Sequence, residues 1–191
     1  MNQTDVLVVG AGVSGLSCAL YTSQAGLDTV VLEHGDSQLK SVKMVHNIPG
    51  VEAGISGAQW LESARNQVIH AGGAIRRGNV EAIAFNERPY VAVTTDGNRW
   101  SARYLVIAVN LGYPLLESLG FEVAVNEHVP SKKIRKVLEI GYDGKSHVPG
   151  VFFAGLLTDV PSQTVIAAGQ GAFVGVQIAS DFLERPFMWH D

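Results

Sequence analysis

Three glycines and one acidic residue near the start of the chain carry its most legible chemistry. Gly10, Gly12 and Gly15 stand in the pattern G-x-G-x-x-G, and Glu33 closes the apolar run that follows. In such a pattern the first glycine permits a tight turn and the second lets the backbone approach a pyrophosphate. The third lets a helix sit close on a strand, and the helix N-terminus offers free N–H groups and the positive end of its dipole. A carboxylate at the end of the next strand accepts ribose hydroxyls. Gly10, Gly12, Val13, Ser14, Gly15 and Glu33 therefore read as a site for the adenosine and pyrophosphate of a dinucleotide. The hexapeptide alone is weak, because glycines also occur in ordinary turns. Its placement between a strand and a helix gives it weight. The carboxylate disfavours a 2′-phosphate, which sets NADP aside here and leaves NAD and FAD open.

The elements that position these residues follow from apolar spacing. Val6–Val9 is a continuous apolar run of the kind buried on both faces of a parallel sheet. From Val13 to Ala25 the residues Val13, Leu16, Ala19 and Leu20 recur at helical spacing, and Gly26 stops the helix. Thr29–Leu32 is a second buried strand, completing a βαβ unit with a right-handed crossover. Residues 40–57 read mainly as loop, and a helix follows from Ala58 to His70, with Trp60, Leu61, Ala64, Val68 and Ala71 on one face. A strand is expected over Ala74–Val80. Ala82–Phe85, Tyr90–Thr94 and Trp100–Arg103 then form a three-stranded antiparallel meander, with Asp96-Gly97 as a hairpin turn. Tyr104–Val109 is again a buried parallel strand, 110–149 is irregular, and Val151–Ala154 is a short strand. A final helix from Ser162 to Leu183 aligns Val165, Ala168, Ala172, Val176, Ala179 and Leu183. Its many small residues would let it approach a sheet or cofactor closely. The fold class is α/β: a Rossmann-like FAD/NAD(P)-binding fold, a parallel sheet with helices on both faces and the meander packed over the helix layer.

Composition agrees with one domain over residues 1–191. Hydrophobic residues make up 47% and charged residues 17%, a balance that suits a packed core. The net charge of −4 and the absence of long charge runs argue against nucleic acid. Lys132, Lys133, Arg135 and Lys136 read as a solvated face. With one cysteine, Cys18, no intrachain disulfide forms, which fits a reducing cytoplasm. The first residues lack a basic region, and glycines interrupt the apolar run, so neither a signal peptide nor a membrane partner is expected.

Three further segments resemble the thioredoxin-reductase-like flavoproteins of the pyridine nucleotide–disulfide oxidoreductase group. His46-Asn47-Ile48-Pro49-Gly50 is similar to a loop that passes the flavin in that family. Val148-Pro149-Gly150-Val151-Phe152-Phe153-Ala154-Gly155 resembles its V-P-G-V-F-A-A-G strand. Gln163-Thr164-Val165 through Gly171 resembles the start of its final helix. The resemblance shifts the reading from NAD to FAD. It implies a cofactor site of Gly10, Gly12, Val13, Ser14, Gly15, Glu33, His34, Asn47, Val80, Ala108, Gly155, Leu156, Gln163 and Thr164. It also implies departures. The NAD(P)H-binding domain that interrupts the family's FAD domain has no counterpart, nor does the redox Cys-x-x-Cys, so the chain resembles an FAD domain alone. The family's Ala-Thr-Gly appears as Ala108-Val109-Asn110, and the acid that holds the ribityl chain appears as Leu156, with Asp159 three residues on.

The expected function is a small FAD flavoprotein oxidoreductase, supplied with electrons by free NAD(P)H, an electron-donor protein or the bound substrate itself. The sequence leaves the oligomeric state open, and the resemblance adds a homodimer as one option. The alternatives are a non-catalytic FAD- or nucleotide-binding protein and, more weakly, an NAD-binding domain. No catalytic acid, base or nucleophile is named, and no metal site is expected. His46, His128 and His147 read as loop histidines, Cys18 as a buried thiol, and Trp60 and Trp100 as packing residues. The tail 187–191, with Phe187, Met188 and Trp189, either docks on its own domain or covers a neighbouring surface.

Overall fold

The computed structural model describes residues 1–109 and 113–189. The chain opens with β1 (Asn2–Val9), α1 (Val13–Gln24) and β2 (Thr29–Glu33), the expected βαβ unit. After a 3-10 turn at Gln38–Ser41 come α2 (Gly57–His70), β3 (Ala74–Arg77), β4 (Val80–Ala84), β5 (Tyr90–Thr94) and β6 (Arg99–Ile107). Then follow α3 (Tyr113–Ser118), β7 (Val123–Val125), β8 (Arg135–Val137), β9 (Val151–Phe153) and α4 (Thr164–Leu183). Seven strands share one sheet in the order β3-β2-β1-β6-β5-β4, with β9 also paired to β6. A separate antiparallel pair joins β7 to β8.

β1 pairs in parallel with β2 on one side and β6 on the other. Val6, Leu7 and Val8 have no exposed surface at all, which explains their uninterrupted apolar character. The strand starts earlier than the apolar run suggests, because Asn2, Gln3 and Thr4 pair with Trp100, Ser101 and Ala102. That same pairing corrects another expectation. Trp100–Arg103 and Tyr104–Val109 are one strand, β6, which changes partner along its second edge. Residues 99–102 run antiparallel to β5, and 105–107 run parallel to β9. The strand expected over Ala74–Val80 instead divides at Gly78 into β3 and β4, where the Gly78 N–H donates to Glu33 O at 3.0 Å. The region read as irregular contains α3, β7 and β8. Asn110 lies outside the described residues.

The sheet has two unlike covers. Val6, Val8, Val31, Tyr104 and Val106 pack with Leu16, Cys18, Ala19, Leu61, Val68, Val174 and Ile178, so α1, α2 and α4 share one face. Leu7, Val9, Leu32, Leu105 and Ile107 pack with Ile83, Tyr90, Leu116, Phe121 and Val137 on the other. The meander and the short α3 cover that second face; the meander does not lie over the long helices.

Two helix details bear on the site. α2 starts with a capping box: Gln59 N–H donates to Ser56 Oγ at 3.1 Å, and Ser56 N–H donates to Gln59 Oε1 at 2.8 Å. α4 buries Gln170, Gly171, Val174, Gly175, Ile178 and Ala179, whereas Val165 is exposed. The buried stripe is thus not the one expected from the larger residues. Small residues bring α4 against α1: a Cβ on Gly171 would lie 2.1 Å from Ser14 O, and one on Gly175 would lie 2.7 Å from Cys18 O. Among the described residues α4 alone is long and apolar enough to cross a membrane. Here it packs along α1.

Candidate functional site

The carboxyl ends of β1, β2, β6 and β9 open into one groove of about 680 Å³. This is where open parallel sheets bind ligands. Gly10 enters it with φ +116°, a conformation that side chains rarely adopt, and its N–H donates to Leu32 O at 2.8 Å. A Cβ there would meet Ala108 O at 2.9 Å, and one on Gly15 would lie 1.9 Å from Gly10 O. These two glycines close the strand–turn–helix junction. Gly12 is different, because a Cβ there would find nothing nearer than Ser37 Oγ at 3.7 Å. The space beside it is open. Gly12 also begins α1 without any side-chain cap, so the first turn keeps its N–H groups for a ligand.

Glu33 and His34 line the same groove one strand away. The Glu33 carboxylate is not free: Arg65 Nη2 of α2 donates to its Oε1. Asp36 at the groove edge is paired with Lys40 at 2.6 Å.

At the opposite end, Gln163 begins α4, again without a side-chain cap, and Gln163 and Thr164 line the groove. Asn47 Nδ2 donates to Gln163 Oε1 at 3.0 Å, tying the loop around Pro49 to the start of α4. Asn47 reaches the groove through Gln163; it is not part of the lining. Two uncapped helix N-termini thus face one cavity, an arrangement suited to anionic or electron-rich groups.

Between them lies the turn that follows β9. Gly155 takes φ +71°, and a Cβ on it would lie 2.4 Å from Ser14 Oγ. Two fully buried amides clamp this turn. Gln170 Oε1 accepts from Gly155 N–H at 2.8 Å, while its Nε2 donates to Tyr142 O at 3.2 Å and Phe153 O at 3.4 Å. From the other side Asn126 Nδ2 donates to Leu156 O, Thr158 O and Val160 O at 3.1, 3.3 and 3.4 Å. The turn presents Leu156 and Leu157 to the groove. Asp159 does not take the place of the absent acid. It pairs with Lys136 at 2.6 Å and His128 at 3.3 Å, away from the groove lining. The hydrogen bond from Lys136 holds its carboxyl below the usual carboxylate range.

The remaining residues singled out in the sequence fall outside this arrangement. Val80 is 5% exposed, packed in the core, and is not among the residues that line this groove. Cys18 is fully buried and its thiol is pushed up to about 12 by burial, which makes it unreactive. His46 is exposed, and His147 packs on Phe121 with ring centroids 5.0 Å apart. Trp60 and Trp100 pack against opposite core clusters. Trp189 packs edge-on to Tyr21 at 5.7 Å, and Phe187 N–H donates to Ser180 Oγ at 2.9 Å, so the tail docks on its own domain through residue 189. Among the described residues no group of three His, Cys, Asp or Glu is placed to hold a metal.

Arg65, Asn126 and Gln170 are the residues that sequence reasoning missed. Only Gln170 carries a signal, as an amide set between Gly169 and Gly171 in the small-residue part of α4. The lining at the 154–157 and 162–167 end holds no titratable side chain. That end of the groove can position a group and stabilise charge with the α4 dipole and amides.

Residues 5–41 match the family model for FAD dependent oxidoreductases. The chain is 34% identical over 106 residues to thioredoxin reductase of Aquifex aeolicus, covering 54% of this chain and 33% of that protein. It is 30% identical over 129 residues to thioredoxin reductase of Rickettsia bellii, covering 63% and 42%. A thioredoxin reductase from Gloeobacter violaceus superposes with a TM-score of 0.78 at 19% identity, covering 100% of this chain and 99% of that one. An oxidoreductase from Agrobacterium tumefaciens gives 0.78 at 13% identity, covering 96% and 99%. At such identities the superpositions speak for the fold alone. The chain spans only about a third of the length of the Aquifex aeolicus relative. The chain is thus similar to thioredoxin reductases in sequence and in fold, and its first strand–helix–strand unit matches a family of FAD dependent oxidoreductases.

Proposed function

We propose that this thioredoxin-reductase-like chain works as a small FAD flavoprotein oxidoreductase whose electrons arrive from free NAD(P)H or from an electron-donor protein. The observation that supports it best is the single groove shared by two uncapped helix N-termini, one carrying the glycine fingerprint and the other Gln163. The residues present fit FAD. Gly12, Val13 and Ser14 would hold the pyrophosphate through backbone N–H groups, and Glu33 would accept the adenosine ribose hydroxyls. Gln163 and Thr164 at the start of α4, backed by Asn47, would meet the flavin end. When bound, the flavin supplies the redox chemistry. The chain's own residues bind it, orient it and place the positive end of the α4 dipole beside it. A cytoplasmic setting suits the single buried Cys18. A pair of two copies is the proposed assembly, on family likeness alone.

One observation favours a second reading, a non-catalytic FAD-binding sensor or subunit. Leu156 offers no acceptor to a ribityl chain, and Asp159 is engaged by Lys136 and His128. Anaerobic mixing of the FAD-loaded full chain with NADH, NADPH or a reduced electron-donor protein separates the two. Bleaching of the flavin band within seconds to minutes is expected of the oxidoreductase. Flavin that stays oxidised with every donor, yet is reduced by dithionite, selects the binding protein instead.

A further inference from the structure

Glu33 stands on a ridge between two grooves. One is the nucleotide groove already described. The other, of about 510 Å³, lies on the α2 side and is lined by Arg65, Arg76 and Arg77 together with Lys40 and Glu62. Of the two, Arg65 lines only the second groove, so it holds Glu33 from the side away from the first. The contact is one-sided. Arg65 Nη2 donates to Oε1, and among the described residues Oε2 accepts no hydrogen bond. A carboxylate has acceptor capacity on both oxygens, so a cation on one leaves the other available. The Glu33 and Arg65 side chains are 26% and 24% exposed, enough for a ligand to reach the acid and little enough for the pair to be ordered. Of the other cations lining the second groove, Lys40 is engaged by Asp36, and Arg76 Nη1 donates to its neighbour's carbonyl, Ile75 O.

We propose that Arg65 is a positioning residue for the adenosine ribose: by holding Glu33 Oε1 from the α2 side, it presents Oε2 to the ribose hydroxyls. An unpaired glutamate samples several rotamers and must be ordered when a ligand binds. The ion pair orders it beforehand, and preorganisation of this kind appears as affinity. The inference rests on the reading that the groove takes FAD by its adenosine end.

Calorimetric titration of the full chain with FAD, ADP and 2′,3′-dideoxy-ADP tests it. Arg65→Met keeps the apolar stem and removes the charge. This variant is expected to bind ADP about five- to tenfold more weakly than the unmodified chain, as expected for a lost preorganised acceptor. It is expected to bind 2′,3′-dideoxy-ADP equally well, and Arg65→Lys should recover part of the loss. In a Glu33→Gln background the same Arg65→Met change should have little further effect. An equal loss for both nucleotides, or tighter ADP binding by Arg65→Met, overturns the positioning role. An unmodified chain that binds neither FAD nor ADP overturns the underlying reading, and this inference with it.

Discussion

Gln170 Oε1 accepts a hydrogen bond from Gly155 N–H at 2.8 Å, joining the middle of α4 to the turn that faces the groove. Both groups are buried, and the amide's other end donates to Phe153 O and Tyr142 O. A polar side chain in a buried helix stripe otherwise made of Gly171, Val174, Gly175, Ile178 and Ala179 thus sets the position of Leu156. Gln170→Leu should leave the Gly155 N–H without a partner and cost about 1–3 kcal/mol of stability. It should also lower the fraction of FAD that co-purifies. Urea unfolding and flavin content check both effects, and a change in stability without a change in flavin content would separate α4 packing from the turn.

Leu156 lines the groove where the resembled family carries an acid. Leu156→Asp should therefore tighten FAD about tenfold, on the scale of one charge-assisted hydrogen bond of ~1.5 kcal/mol. Asp159→Asn, a change at a carboxylate already held by Lys136, should leave FAD affinity within about twofold. Titration by flavin fluorescence quenching reads both variants. Weaker binding by Leu156→Asp would mean that this position faces an apolar part of the ligand.

Close approach of α4 to α1 depends on glycine at specific places. Gly171→Ala would set a methyl 2.1 Å from Ser14 O, a backbone atom that cannot move alone. The expected cost is about 3 kcal/mol, at the upper end for overpacking. Gly169, on the exposed side of the same helix, meets only Tyr142 Oη at 3.4 Å. There Gly169→Ala should stabilise by roughly 0.5–1 kcal/mol through helix propensity. Paired denaturation curves check the opposite signs.

The alkaline limb of stability should carry the mark of Tyr104. Its hydroxyl donates to Asp181 Oδ2 at 2.5 Å, and burial, together with that carboxylate, pushes the phenol up to about 12. The folded state favours the neutral phenol, so this contribution is complete below the ordinary phenol value of about 10 and is lost as pH rises towards 12. Tyr104→Phe should lower Tm at pH 8 and flatten its decline between pH 10 and 12. Thermal melts across that range measure it, and an unchanged slope would contradict the assignment.

Local signals in the chain already reveal the βαβ unit, because Gly10, Gly12 and Gly15 follow one apolar run and Glu33 ends the next. Three features lie beyond such signals, each for a physical reason. β6 reads as two runs because its apolar pattern changes where its edge partner changes from β5 to β9. The buried stripe of α4 escapes a hydrophobicity reading because its contacts with α1 are made by glycine, which carries no apolar side chain. Arg65 and Asn126 meet partners 32 and 30 positions away, and nothing in their immediate neighbours marks them. Within the candidate site, the adenosine end is legible from spacing. The flavin end needed a family resemblance, and the clamp on Gly155 to Val160 needed the fold.

The central claim is that one FAD lies across the groove with its pyrophosphate beside Gly12. Calorimetric titration of the full chain with FAD, set beside the same titration of Gly12→Glu, tests this most directly. A Cβ at position 12 enters open space, so the longer acid should fill the pyrophosphate position and repel its charge without disturbing the fold. One equivalent of FAD bound by the unmodified chain and none by Gly12→Glu is the expected result. No stoichiometric binding by the unmodified chain, or equal binding by the variant, would contradict it.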